Sequence, residues 1–131
     1  MTCWLAKRRP VTLTNYSMSY DLNRLPTFDR QAKRLAKKYP SLKNDLRVLF
    51  DSLREEPTQG AALGKGCYKV RMAIASKRQG KSGGARVITF VKVTQEAVYL
   101  LAVYDKSEKE DLEPGELDTY LDLIEGASTT E

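Results

Sequence analysis

Three apolar-rich runs follow one another with only short polar connections between them: Cys67–Ala75, Ala85–Thr94 and Ala97–Tyr104. No other feature constrains the fold of this 131-residue chain as strongly. Val, Ile, Tyr, Phe and Thr dominate the runs, as half-buried strands require. Gln79-Gly80-Lys81-Ser82-Gly83-Gly84 separates the first two, and Gln95-Glu96 the last two. Parallel neighbours need a crossover of about a dozen residues or more, so these runs must pair antiparallel, as a three-stranded meander.

Charge is unevenly spread over this frame. Residues 57–95 hold eight Lys or Arg and no Asp or Glu, whereas residues 96–131 hold eleven acids and two bases. Residues 1–56 hold twelve bases and six acids. The formal net charge of +5 therefore conceals a wholly cationic sheet-forming block, which concentrates positive potential on one part of the fold and points to an anionic partner. The acidic final third has two candidate uses: solubility, or contact with a basic part of a partner.

Upstream of the meander, Ser19–Leu25 reads as a strand and Pro26-Thr27 opens a helix, with Thr27 as N-cap. Phe28, Ala32, Leu35, Ala36 and Tyr39 fall on one helical face. Arg30, Lys33, Arg34, Lys37 and Lys38 decorate the other, as a solvated surface or one facing RNA. Pro40 closes this helix, and Ser41 caps a second with the stripe Leu42, Leu46, Leu49, Phe50 and Leu53. Thr58–Gly66 reads as a loop. Beyond the meander, Leu112–Glu116 starts a last helix with Pro114 in its first turn; Leu117, Leu121 and Ile124 form its stripe, and Gly126 stops it. The order β-α-α-β-β-β-α makes an α+β domain, with a helical hairpin on one face of an antiparallel sheet and a C-terminal helix. Met1–Ser17 reads as a disordered or dispensable extension, with Met18 a candidate natural start, and residues 126–131 as a frayed tail.

Composition removes whole classes of chemistry. The chain has no histidine, so Ser–His and Cys–His nucleophile pairs and His metal sites are excluded. Cys3 and Cys67 form no metal or redox pattern and suit a reducing cytoplasm. No apolar run approaches the ~20 residues of a membrane span, and Lys7-Arg8-Arg9 lacks the apolar stretch of a signal peptide. Ala75–Ser82 matches a relaxed phosphate-loop pattern, but that motif needs a helix after the loop, and here a strand follows.

In the first meander run Tyr68, Val70, Met72 and Ile74 share one face, and Cys67, Lys69, Arg71 and Ala73 the other. Arg86 shares a face with Ile88, Phe90 and Lys92 in the second. Pairing of the runs would let Lys69, Arg71, Arg86 and Lys106 converge on one concave surface. Solubilising sheet cations would give the same alternation.

Three segments together resemble the RelE/ParE superfamily of bacterial type II toxins, most closely its HigB-like branch. They are Cys67-Tyr68-Lys69-Val70-Arg71, Gly83-Gly84-Ala85-Arg86-Val87-Ile88, and Leu100 through Leu112 (LLAVYDKSEKEDL). The likeness covers Met18 to Ile124 and implies a toxin domain at residues 18–125. It implies a metal-independent, cofactor-free mRNA endonuclease that enters the ribosomal A site, where a 2′-hydroxyl attacks the adjacent phosphodiester. It also implies a cognate antitoxin, the ribosome and mRNA as partners, and a cytoplasmic location.

Carried over by position, Lys69 and Arg71 match the family's paired basic residues, Arg86 its arginine on the next strand, and Lys106 a basic position after the last strand. Arg offers phosphate a bidentate fork, which assigns that role to Arg86. Lys69 could act as base where neighbouring cations depress its pKa. Lys77, Arg78, Lys81, Lys92, Lys109 and Tyr104 are further RNA-binding candidates, Tyr104 through packing or base stacking. Where some relatives carry a C-terminal tyrosine, this chain has Leu112, so the general base has no assigned residue. Two other activities fit the fold: the gyrase-inhibiting branch of the superfamily, and a non-catalytic RNA- or ribosome-binding module.

Overall fold

The computed structural model describes residues 20–77 and 83–129. The expected extension at residues 1–17, the start at Met18, and Arg78 and Lys81 lie outside the described residues. The elements are β1 (Asp21–Arg24), α1 (Pro26–Lys38), α2 (Leu42–Glu55), β2 (Ala61–Gly64), β3 (Cys67–Met72), β4 (Ala85–Lys92), β5 (Ala97–Asp105) and α3 (Glu116–Thr129). They form an α+β domain around one sheet with strand order β1-β5-β4-β3-β2.

The meander is as expected: β3 pairs antiparallel with β4, and β4 with β5. The sheet as a whole is mixed, because β1 pairs parallel to β5 at one edge. At the other edge β2 pairs antiparallel with β3, inside the segment expected to be a loop. Ala61-Ala62-Leu63-Gly64 has little strand propensity and stays largely exposed, so no alternation marks it. Its hairpin turn is legible in Lys65 and Gly66, both at positive φ as a two-residue β-turn demands.

The two helical stripes do what their spacing requires. Phe28 and Leu35 of α1 and Leu42, Leu46, Leu49 and Leu53 of α2 are buried against Val70, Met72, Val87, Leu100 and Val103 on one sheet face. α3 covers the opposite face, where Tyr120 and Ile124 meet Cys67, Ile88, Leu101, Ala102 and Tyr104. A bulge in β5 makes both layers possible. The register steps from Ile88↔Ala102 to Thr89↔Leu100, so Leu101 is the extra residue and points with Ala102 toward α3.

Beyond β1, α1 closes the exposed edge of β5 through side chains. Thr27 Oγ1 donates to the Leu101 carbonyl at 3.0 Å, and Gln31 Oε1 accepts from the Val103 N–H at 2.9 Å. Thr27 is therefore not the N-cap; Leu25 holds that position, with Pro26 opening the helix. These bonds satisfy backbone groups that a strand would otherwise pair.

Two boundaries at the last helix differ from expectation. Pro114 and Gly115 form a turn before α3, with Gly115 at φ +83° and Glu116 N–H bonded to the Glu113 carbonyl at 3.0 Å. α3 also continues through Gly126 to Thr129. A single glycine in a helix costs only about 1 kcal/mol and does not by itself end it.

Candidate phosphate-binding face

Register places the cations. Arg71 is the cross-strand partner of Arg86, and Arg86 is in turn the partner of Tyr104. The three residues form a row across β3, β4 and β5, with neighbouring strands ~4.8 Å apart. Lys69 lies two residues from Arg71 and therefore on the same face. Like charges directly opposite on paired strands repel, and Arg71 and Arg86 are such a pair. Arg71 is exposed, whereas Arg86 is only 4% exposed and its Nη1 donates to the Ala85 carbonyl at 3.2 Å. Lys106 follows β5 at the same end of the ladder, its N–H bonded to the Gly84 carbonyl at 3.0 Å.

The acidic final third folds back onto the cations, a use not among those expected. Asp111 Oδ1 lies 3.4 Å from Lys69 Nζ, Glu116 lies 2.7 Å from Lys109 Nζ, and Asp118 pairs with Lys65. Glu108 receives Arg34 and Lys38 from α1, which hold its carboxyl below the usual range. At Asp111 the bond from the Leu112 N–H, followed by the Lys69 charge, acts in the same direction. Arg71 and Lys106 make no ion pair among the described residues.

Asp105 is the hub of the site end of the sheet, and sequence reasoning passed over it. It is fully buried and accepts hydrogen bonds from the Tyr39 hydroxyl, Lys77 Nζ at 2.9 Å, the Ser107 N–H at 3.0 Å and Ser107 Oγ at 2.8 Å. Burial alone would raise its pKa; the bonds from Tyr39, Lys77 and Ser107 outweigh that and hold it well below the carboxylate range. The available signal was an acid ending a run of apolar residues that starts at Ala97.

The other expected site residues fall in different places. Lys77 is turned inward to Asp105 with its side chain 9% exposed, so it does not join the cationic row. Lys92 ends β4 six residues from Arg86, ~20 Å along the strand. Lys109 does join the site, with Nζ 5.5 Å above the Tyr104 ring. Tyr104 is 6% exposed, so its ring is not an open stacking surface. Burial pushes its phenol up to about 12. Leu112 packs into the α3-side core and brings no proton-transfer group. Nearby, the Tyr120 hydroxyl donates to Glu116 Oε2 at 2.7 Å. Cys67 is buried, and desolvation pushes its thiol up to about 11, so it offers no thiolate at neutral pH. Among the described residues no cluster of three or more His, Cys, Asp or Glu could hold a metal ion. No helix among them is long and apolar enough to cross a membrane.

These features define an α+β domain with a row of cations at one end of its sheet. The chain belongs to the RelE toxin family: the family model described as "RelE toxin of RelE / RelB toxin-antitoxin system" matches residues 27–130. Among solved structures, the fold is similar to a double arginine-to-alanine mutant of E. coli toxin RelE in the free state. That match has a TM-score of 0.51 and 20% identity, and covers 71% of this chain and 90% of that one. It is also similar to a chain of the toxin–antitoxin complex RelBE2 from Mycobacterium tuberculosis, with a TM-score of 0.51 and 17% identity, covering 70% of this chain and 97% of that one. At these identities the structures speak for the fold alone. No curated protein matches the sequence.

Proposed function

We propose that this chain is a ribosome-dependent endoribonuclease that cuts mRNA in the A site and is held in check by a cognate antitoxin in the cytoplasm. The observation that carries the reading is the Arg71–Arg86 cross-strand pair with Lys69 beside it. In the proposed reaction the 2′-hydroxyl attacks the adjacent phosphorus, a 2′,3′-cyclic phosphate forms, and the 5′-oxygen leaves and is protonated. Negative charge builds on the phosphoryl oxygens, and preorganised cations stabilise it more than they stabilise the ground state. Arg86 presents its fork to those oxygens, Lys69 and Arg71 orient the phosphate, and Lys106 supports the leaving oxygen. Lys109, close to the row, adds to the binding of RNA. Support for an antitoxin comes from the family and from the M. tuberculosis structure, which is a toxin–antitoxin complex.

The test is primer extension on a reporter mRNA after brief induction in bacteria, comparing wild type, Arg86→Ala and the exposed-site variant Arg71→Ala, with a puromycin-treated control. We expect in-frame cuts that need engaged ribosomes and fall on the order of a hundredfold in Arg86→Ala. Wild-type cutting by a folded Arg86→Ala variant overturns the assignment of Arg86. Growth arrest with intact mRNA overturns the endonuclease reading and favours gyrase inhibition or binding alone.

A further inference from the structure

The Tyr104 hydroxyl is one of two buried side-chain polar atoms that find no hydrogen-bond partner among the described residues. The other, Thr89 Oγ1, lies on a residue that alternates with Val87 and Val91 and so faces the helical hairpin, away from the cations. Tyr104 is different. It is the direct cross-strand partner of Arg86, and the Lys109 ammonium sits over its ring. A buried hydroxyl without a hydrogen-bond partner is costly, and this one stands beside the guanidinium of Arg86 and the ammonium of Lys109.

Resting on the proposed phosphodiester chemistry, the geometry points to the Tyr104 hydroxyl as a hydrogen-bond donor to the phosphate that Arg86 holds. Sequence alone favoured the ring, through packing or stacking. The ring is covered, and the hydroxyl is the part left without a partner. With its pKa pushed up to about 12 by burial, the phenol keeps its proton at neutral pH and serves as donor, not as base. Access requires that the segment after β5 yield, a segment also held by the Lys109–Glu116 pair at 2.7 Å and by Leu112 in the core. Its tie at Asp111 is a 3.4 Å pair to Lys69 with an exposed carboxylate, a contact that contributes little and that phosphate can replace.

Tyr104→Phe removes the hydroxyl and nothing else. The full chain, wild type, Tyr104→Phe and Arg86→Ala, is titrated into a fluorescein-labelled short single-stranded RNA at low salt, followed by anisotropy, and each variant is melted. Cleavage on programmed ribosomes is run in parallel. We expect Tyr104→Phe to weaken RNA binding about tenfold while Tm stays level or rises, because no folded-state bond is lost. Unchanged RNA affinity in Tyr104→Phe overturns the inference, as does a clear drop in its Tm, which would reveal a structural partner. Absence of RNA binding by wild type overturns it too. If wild type cuts no mRNA yet Tyr104→Phe weakens RNA binding at level Tm, the endonuclease reading falls and the phosphate contact stands.

Discussion

Replacing Asp105 by Asn tests the hub at the end of β5. The carboxylate is fully buried and takes four donors, one of them the Lys77 ammonium at 2.9 Å with its side chain only 9% exposed. An amide of the same size can still accept from Ser107, but it leaves Lys77 as a nearly buried cation without its counterion. Removing one partner of a buried pair costs about 3–5 kcal/mol. Lys77 Nζ keeps a 3.5 Å contact with Ser107 Oγ and lies near solvent, so the lower end, about 3 kcal/mol, is expected. For a domain of this size that is about 10 °C in Tm.

Urea denaturation at pH 7 measures the loss, and Asp105→Asn combined with Lys77→Met should recover most of it by removing the stranded charge. The pH dependence has a fixed sign. The folded carboxyl titrates below its unfolded value of 3.8, so its contribution is complete above that value and is lost as pH falls. The gap between wild type and Asp105→Asn should hold constant from about pH 5 to 8 and narrow by about 1.4 kcal/mol per pH unit below about pH 4. A loss under about 1 kcal/mol at pH 7, or a gap that ignores acid, would refute the hub.

Gly84→Ala should destabilise on the order of 1–3 kcal/mol or prevent folding, because a Cβ there would sit 2.2 Å from the Met72 carbonyl oxygen, a backbone atom that cannot turn aside; chemical denaturation reads this directly. Lys92→Ala should leave the cleavage rate within about twofold of wild type, since its side chain stands ~20 Å from the Arg86 row; a loss like that of Arg71→Ala would extend the RNA path along β4.

What the sequence made legible follows from period and breakers. The stripes of α1 and α2 repeat at 3.6 and the run of β3 at 2, and each buried the face its period selected; β4 and β5 were legible as apolar runs but are buried on both faces, with the bulge at Leu101 breaking the alternation of β5. β2 was hidden because its Ala-Ala-Leu-Gly stretch is exposed and pays no attention to alternation. The parallel pairing of β1 was hidden because four residues do not state which neighbour they will join. Thr27 reads as an N-cap and Gln31 carries no sequence signal; their role, closing the edge of β5, depends on where α1 lands.

The site was legible in its cations and illegible in its acids. Alternation puts Lys69 and Arg71 on one face of their strand, because facing in a strand is local; that Arg86 shares this face follows only from the pairing of β3 with β4. Which acid meets which base is not local: Glu108 reaches Arg34 and Lys38 from about seventy residues away, and Asp105 reaches Lys77 across the sheet. A count of charge by segment therefore overstates the positive field, since the acidic third neutralises much of the cationic block from within the same molecule. Arg71 and Lys106, beside Arg86, stay without an acidic partner among the described residues. The pairs around these residues tie the segment after β5 and α1 to the end of the sheet. The acids of the last third therefore belong to the same surface as the cations: by pairing with Lys65, Lys69, Lys77 and Lys109 they decide which positive charges near the sheet end stay available.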